Sequence, residues 1–283
     1  MATFPRPPGA HPADVTAWWR TSLTAVAPGS IRIRGYAIEE LIGRVDYASM
    51  VWLVLRGELP TPEESALLGA ALVAAVDHGP QAPAAAIARM AATCGVGVNN
   101  AIASGVNVLG DVHGGAGEGC MELLAEVARV VDSGRAVEVA VDEVLRDRAG
   151  ARDERVPGFG HRFHPVDPRA PRLMALVRAG AEAGWLSGRF SSIGAAVEAA
   201  LERAKGRRIP MNVDGATAVV FSELGFAPAL GRGLFVLSRS VGILAHVWEQ
   251  MQQGGRIKGP LPPEVPYRYD GPGPRPLPGG AAR

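Results

Sequence analysis

Cysteine is scarce in this chain: Cys94 and Cys120 are its only two in 283 residues. They form no CxxC pair and lie far apart, so no disulfide framework is expected and a reducing, cytoplasmic setting fits. An excess of charge of one sign is missing as well, with 29 Lys and Arg against 28 Asp and Glu. A net charge of +1 gives no reason to expect a nucleic-acid surface, although a local basic patch can still bind a phosphorylated ligand. Apolar runs such as 67–76 are too short to cross a bilayer. The first residues, Met1-Ala2-Thr3-Phe4-Pro5-Arg6-Pro7-Pro8, carry no apolar stretch of the kind a secretory signal needs. What remains, 47% hydrophobic and 20% charged, is an ordinary soluble, globular composition with the length for one large domain or two lobes.

Helical periodicity dominates. It marks 38–55 (interrupted at Gly43), 82–93, 117–132, 136–148, 171–183, 192–205 and 233–253. Thr61-Pro62-Glu63-Glu64 is a helix start, with Thr61 as N-cap, Pro62 at the first position and acids in the first turn. That helix is expected to reach about Asp77 and stop at Gly79-Pro80. The small apolar stretch 100–109 suits close helix packing. Strand signal is confined to 30–34. The fold class is therefore all-α. Glycine-rich joints at 114–119 and 227–233 divide it into a middle lobe, 116–230, and a larger lobe formed by 1–115 with 231–283. From 260 onward Pro and Gly dominate, as in an extended tail.

Within this helical background three segments place ionisable groups beside glycine or proline: Gly110-Asp111-Val112-His113-Gly114-Gly115, Pro157-Gly158-Phe159-Gly160-His161-Arg162 and Pro210-Met211-Asn212-Val213-Asp214-Gly215. Together they supply two imidazoles and a carboxylate. Such a set can move two protons and hold one oxyanion, the minimum for making or breaking a carbon–carbon bond next to a thioester.

These segments, in this order, resemble the citrate synthase superfamily. The likeness runs from about 30 to 270. It begins at Ile33-Arg34-Gly35-Tyr36-Ala37-Ile38-Glu39-Glu40-Leu41 and Gly57-Glu58-Leu59-Pro60-Thr61. It continues through Gly158-Phe159-Gly160-His161-Arg162 with Asp167-Pro168-Arg169-Ala170, and through Asn212-Val213-Asp214. It ends at Ser238-Arg239-Ser240-Val241-Gly242 with Ala245-His246 and Glu249-Gln250. Asp77-His78-Gly79-Pro80, Gly215 after Asp214 (where synthases usually place an aromatic) and Phe235-Val236-Leu237-Ser238-Arg239-Ser240 are similar to citryl-CoA lyases, including the lyase module of ATP-citrate lyase. The chain is also about their size.

The resemblance implies a two-lobed multi-helix fold and cleavage of citryl-CoA to acetyl-CoA and oxaloacetate. His161 is the candidate for the hydroxyl proton, His113 for holding the enolate oxygen and Asp214 for the proton at the acetyl carbon. Two structural roles stand beside these: His113 satisfied at a helix end, and Asp214 capping a following helix. His78, Arg169 and Arg239 are candidate carboxylate binders, the arginines by their bidentate fork. Gly158, Phe159 and Gly160 are expected to line the adenine of CoA. Lys205, Arg207 and Arg208 either hold its phosphates or form a solvated helix end. His246 is expected to pack within the last helix. His161 and His164 have HxxH spacing, but a metal site would need two more ligands and no Cys or acid cluster converges in sequence, so no metal is expected. No tightly bound cofactor is expected either, coenzyme A entering as part of the substrate.

One departure concerns the C-terminal Arg-Pro that synthases present across a dimer. Here Gly259 precedes Pro260, and Lys258 is the nearby substitute, a point charge rather than a fork. The alternatives to the lyase are a short citrate or 2-methylcitrate synthase, a lyase of another hydroxyacyl-CoA, and a non-catalytic paralogue that binds CoA esters. A homodimer is implied by the family.

Overall fold

The structure, a computed structural model, describes residues 19–149, 155–161, 164–262 and 264–275. It opens with a three-stranded antiparallel sheet, β1 (Thr24–Ala27), β2 (Ser30–Ile33) and β3 (Tyr36–Ala37), in that order. The second turn has positive φ at both central residues, Arg34 (50°) and Gly35 (90°), which matches the right-handed twist of the strands it joins. The Arg34 guanidinium donates to the carbonyl of Val54 from Nε (3.2 Å) and Nη2 (2.8 Å), tying the sheet to the end of a helix.

The expected helix over 38–55 is two helices, α1 (Ile38–Leu41) and α2 (Tyr47–Arg56). Gly43 breaks the chain at φ 79°, and Asp46 restarts it by capping the Ser49 amide at 2.7 Å. α3 (Pro62–Ala74) begins with the expected cap and adds a capping box: Thr61 Oγ1 accepts from the Glu64 amide, and Glu64 accepts from the Thr61 amide. It ends three residues short of Asp77.

The remaining helices are α4 (Pro83–Thr93), α5 (Val98–Val106), α6 (Ala116–Asp132), α7 (Val137–Ala149), α8 (Arg169–Glu182), α9 (Arg189–Lys205), α10 (Val213–Glu223) and α11 (Gly231–Gln253). Periodicity does not mark α10. Val213 and every residue from Gly215 to Ser222 are buried, so this helix has no polar face to alternate with.

Contacts divide the chain into two compact units: the described residues of Met1–Val76 with Gly114–Ser238, and Asp77–His113 with those of Arg239–Arg283. The expected partition at 116–230 is not the one found. α3 packs on α8 and α10, and its Leu67, Leu68 and Ala71 belong to the same apolar core as Leu123, Leu124, Val127, Val219 and Val220. Each fully buried side chain of that size contributes about 1.5–3 kcal/mol, enough to draw the early helices to the middle ones. The second unit packs α4 on α5 around Ala84, Ala88, Ala101, Ile243 and Val247. A Cβ on Gly105 would meet the Ala84 carbonyl at 2.7 Å, so the small residues of this stretch do permit close helix packing.

The stretch Pro228–Gln253 is long and apolar enough, by length and composition alone, to cross a membrane. Reading uninterrupted runs passes over it, because Arg232, Arg239 and His246 break the run.

Candidate functional site

In the first unit, two of the glycine-bearing segments are joined backbone to backbone. Gly160 N donates to Pro210 O at 2.8 Å and Asn212 N to Gly158 O at 3.0 Å, with Phe159 and Met211 bridged between them. The Asn212 side chain adds a bond to Gly160 O at 2.7 Å. Gly158 has φ 86°, and a Cβ there would meet Cys120 Sγ at 2.7 Å and Gly215 Cα at 2.8 Å. Only glycine fits that position. Burial, with the Asp214 charge nearby, pushes the Cys120 thiol up to about 12; it is a packing group and not a nucleophile.

Asn212, not Asp214, caps α10, its Oδ1 accepting from the amides of Asp214 (2.9 Å) and Gly215 (3.2 Å). Asp214 lies half-buried in the first turn, where the helix dipole favours a carboxylate. His161 accepts the His164 amide at Nδ1, 3.1 Å away, and the two rings lie 4.6 Å apart. A neutral His161 therefore carries its proton on Nε2.

Arg169 lies at the start of α8. Its Nε and Nη2 donate to Asp167 at 2.9 and 2.8 Å, so the fork expected for a substrate carboxylate is engaged within the chain. Lys205 ends α9, Arg207 and Arg208 follow it before α10, and all three are exposed. Arg208 pairs with Glu198 through Nε and Nη2, both at 3.1 Å, and the other oxygen of Glu198 accepts the Met211 amide. A cavity of about 440 Å³ between α8 and α9 is lined by Arg208 and Glu198 together with Arg178, Met174 and Met211.

The second unit holds the other candidates. His113 Nε2 accepts the Ala84 amide at 3.3 Å, in the first turn of α4. Burial and the Arg239 charge hold its pKa below the ordinary imidazole value. The ring is neutral, and Nδ1–H is its donor. The helix-end reading of His113 is the one the Ala84 contact shows, and it leaves Nδ1–H facing away from Ala84 N.

Arg239 is buried on α11, and His78 is exposed in the turn after α3. That turn is held by Asp77, which accepts the Gly79 amide at 3.0 Å and the His246 imidazole at 3.0 Å. Burial raises the Asp77 carboxyl, but these bonds outweigh it and leave its pKa lowered. Arg89, buried in α4, meets His246 Nδ1 (3.2 Å), Gln250 (3.2 Å), Gln253 (2.7 Å) and Glu249. Lys258 donates from Nζ to Gln250 Oε1 at 3.2 Å, and its amide bonds Thr93 Oγ1 at 2.9 Å.

Sequence reading missed Arg89 and gave Asp167 no role, and His246 proves to be more than a packing residue. Arg89 had a signal, as the single charged residue of 82–93. Asp167 had one too, lying inside the motif that contains Arg169.

A mostly helical fold that carries these glycine-bearing turns in this order is the kind of protein the comparisons define further. Residues 60–260 match the family model for the citrate synthase C-terminal domain. Citrate synthase 2 of Bacillus subtilis (strain 168) is 30% identical over 250 residues, covering 83% of this chain and 62% of that protein. The chain thus spans less than two thirds of the length of these curated relatives, 54% for the citrate synthase of Acidithiobacillus ferridurans. Among solved structures, the citryl-CoA lyase of Hydrogenobacter thermophilus superposes with a TM-score of 0.81 at 37% identity, covering 92% of this chain and 97% of that one. ATP citrate lyase of Methanothrix soehngenii, in complex with citrate and coenzyme A, shares the fold with a TM-score of 0.75 at 21% identity, over 96% of this chain and 47% of that one. The chain belongs to the citrate synthase family.

Proposed function

We propose that this protein is a citryl-CoA lyase, releasing acetyl-CoA and oxaloacetate. The observation that carries the assignment is Gly215. A Cβ there would meet the Gly158 carbonyl at 2.3 Å, so the fold admits no side chain where the synthases of the family usually place an aromatic. The 37% identity to the Hydrogenobacter lyase points the same way.

In cleavage, the tertiary hydroxyl loses its proton, the carbon–carbon bond breaks, and the electron pair passes to the thioester oxygen as an enolate. His161 takes the hydroxyl proton, His113 holds the enolate oxygen through Nδ1–H, and Asp214, entering as the protonated acid, delivers its proton to the acetyl carbon and is left as the carboxylate. Arg239, His78 and Lys258 bind carboxylates. Phe159, Gly158 and Gly160 with Lys205, Arg207 and Arg208 hold CoA. His161 takes a proton at Nε2 only when that nitrogen is bare. When a neutral ring carries its proton on Nε2, as the His164 contact at Nδ1 implies, it suits donation to the oxaloacetate carbonyl, the same step run in the synthetic direction of the second reading, citrate or 2-methylcitrate synthesis.

A cytoplasmic homodimer completes the proposal. Both cysteines are free. α11 turns Arg239 and Gln250 inward while Val241 (57% exposed), Leu244 (46%), Trp248 (56%) and Met251 (45%) form an outward apolar stripe at alternating three- and four-residue spacing. A second copy covers such a stripe.

The test is oxaloacetate release from citryl-CoA, read as NADH loss with coupled malate dehydrogenase, with free thiol assayed in parallel. Oxaloacetate without free CoA supports the lyase. Free CoA without oxaloacetate supports the synthase.

A further inference from the structure

Asp167 has no part in the chemistry above, yet its carboxylate is fully enclosed and holds four donors. Oδ1 accepts from Arg169 Nε at 2.9 Å and from the Arg169 amide at 3.1 Å. Oδ2 accepts from Arg169 Nη2 at 2.8 Å and from the Val213 amide at 2.9 Å. Asp167 is 1% exposed. All four bonds are charge-assisted by the carboxylate, and the two from the guanidinium pair in a fork, a strong geometry for a carboxylate.

The fourth donor gives the arrangement its consequence. Val213 is the first residue of α10 and precedes Asp214. Asn212 takes the amides of Asp214 and Gly215, and Asp167 takes the amide before them, so three successive first-turn donors are fixed by two side chains. One carboxylate thereby spans the start of α8, with its arginine, and the start of α10, with its acid. The pairing also balances charge: the Asp167 anion cancels the Arg169 cation beside the turn that carries Asp214. Cys120 of α6 is a titratable group that senses Asp214, and its thiol stays neutral. Beyond it Arg148 of α7 is paired with Glu126.

We propose that Asp167 is a positioning residue: it locks the α10 N-terminus to the Arg169 guanidinium, setting the place and charge environment of the Asp214 carboxylate. This rests on the proton-transfer role assigned to Asp214, but its structural content does not depend on the substrate.

The deciding measurement is the titration of the Asp214 side-chain carboxyl by carbon-13 NMR in the intact wild-type protein and in D167N and R169Q. D167N leaves the Arg169 cation unbalanced, so Asp214 should titrate at lower pH. R169Q leaves the Asp167 anion unbalanced, so Asp214 should titrate at higher pH. If D167N does not fold, R169Q alone decides by its direction. With citryl-CoA, D167N is expected to lose about 30-fold or more in kcat while calorimetric CoA affinity stays within about threefold, and the double variant should lose less than the sum of the singles. Unmoved Asp214 titration, or movement in the same direction in both variants, overturns the proposal. A silent wild-type assay beside opposite NMR shifts would overturn the lyase reading alone.

Discussion

His246 stands between opposite charges: Nε2 lies 3.0 Å from Asp77 Oδ1, and Nδ1 lies 3.2 Å from Arg89 Nη1. Arginine only donates, so Nδ1 accepts and the ring proton sits on Nε2, directed at Asp77. The His78 turn is thus held from α11 through the His246 imidazole. His246→Ala should leave Asp77 and Arg89 each short of a partner and cost about 1–3 kcal/mol. Thermal unfolding should show a fall of several degrees, and KM for citryl-CoA should rise more than kcat falls. An unchanged KM would detach the turn from substrate binding.

Asp167 sets an acid limit on stability. Burial opposes its ionisation, but the Arg169 fork and the Arg169 and Val213 amides hold its pKa at about 2, below the ordinary 3.8. A carboxyl depressed on folding stabilises above its unfolded pKa and loses that contribution as pH falls through the folded value. About 2 kcal/mol should therefore disappear between about pH 4 and pH 2. Urea unfolding across that range should show the loss in wild type and a shallower dependence in Asp167→Asn.

His113 follows the same sign at a less acid pH. Burial and Arg239 lower its pKa from 6.5, so its neutral form is the folded form. Its contribution is complete above the ordinary value and is lost as pH falls through the folded value. Cleavage should keep its rate at slightly acid pH, where a free imidazole would already be charged. Removing the Nδ1–H donor in His113→Ala should lower kcat by about 10²–10³-fold with CoA affinity retained. Single-turnover kinetics and calorimetry check both halves.

Gly158→Ala places a methyl group against Cys120 Sγ and Gly215 Cα, at 2.7 and 2.8 Å, on a backbone with φ 86°. The loss should be about 2 kcal/mol or more, from strain and overpacking together. Trimming the sulfur with Cys120→Ala should restore only part of it, since the backbone at Gly215 remains. Chemical denaturation of the two single variants and the double variant measures this directly.

The α11 stripe predicts its own result. Leu244→Glu with Trp248→Glu should convert a dimer to a monomer in light scattering without loss of helical signal. A monomeric wild type would remove the homodimer from the proposed function.

What the sequence determined by itself is whatever depends on neighbours in the chain. Thr61 and Glu64 announce a capping box, the amphipathic helices show their stripes, and the motifs around His113, His161 and Asp214 carry the family likeness. Tertiary structure decided what depends on distant residues. α10 is invisible to periodicity because it is enclosed all round. The carboxylate at the helix start belongs to a first turn already capped by Asn212. Arg169 was legible as an anion binder, but its partner is the buried Asp167, and the same carboxylate reaches Val213, 46 positions away. Joining α3 to the middle helices likewise follows from which apolar faces meet. Local propensity acts over a turn or two of chain, whereas desolvation and ion pairing are set by whatever the fold brings within a few ångströms.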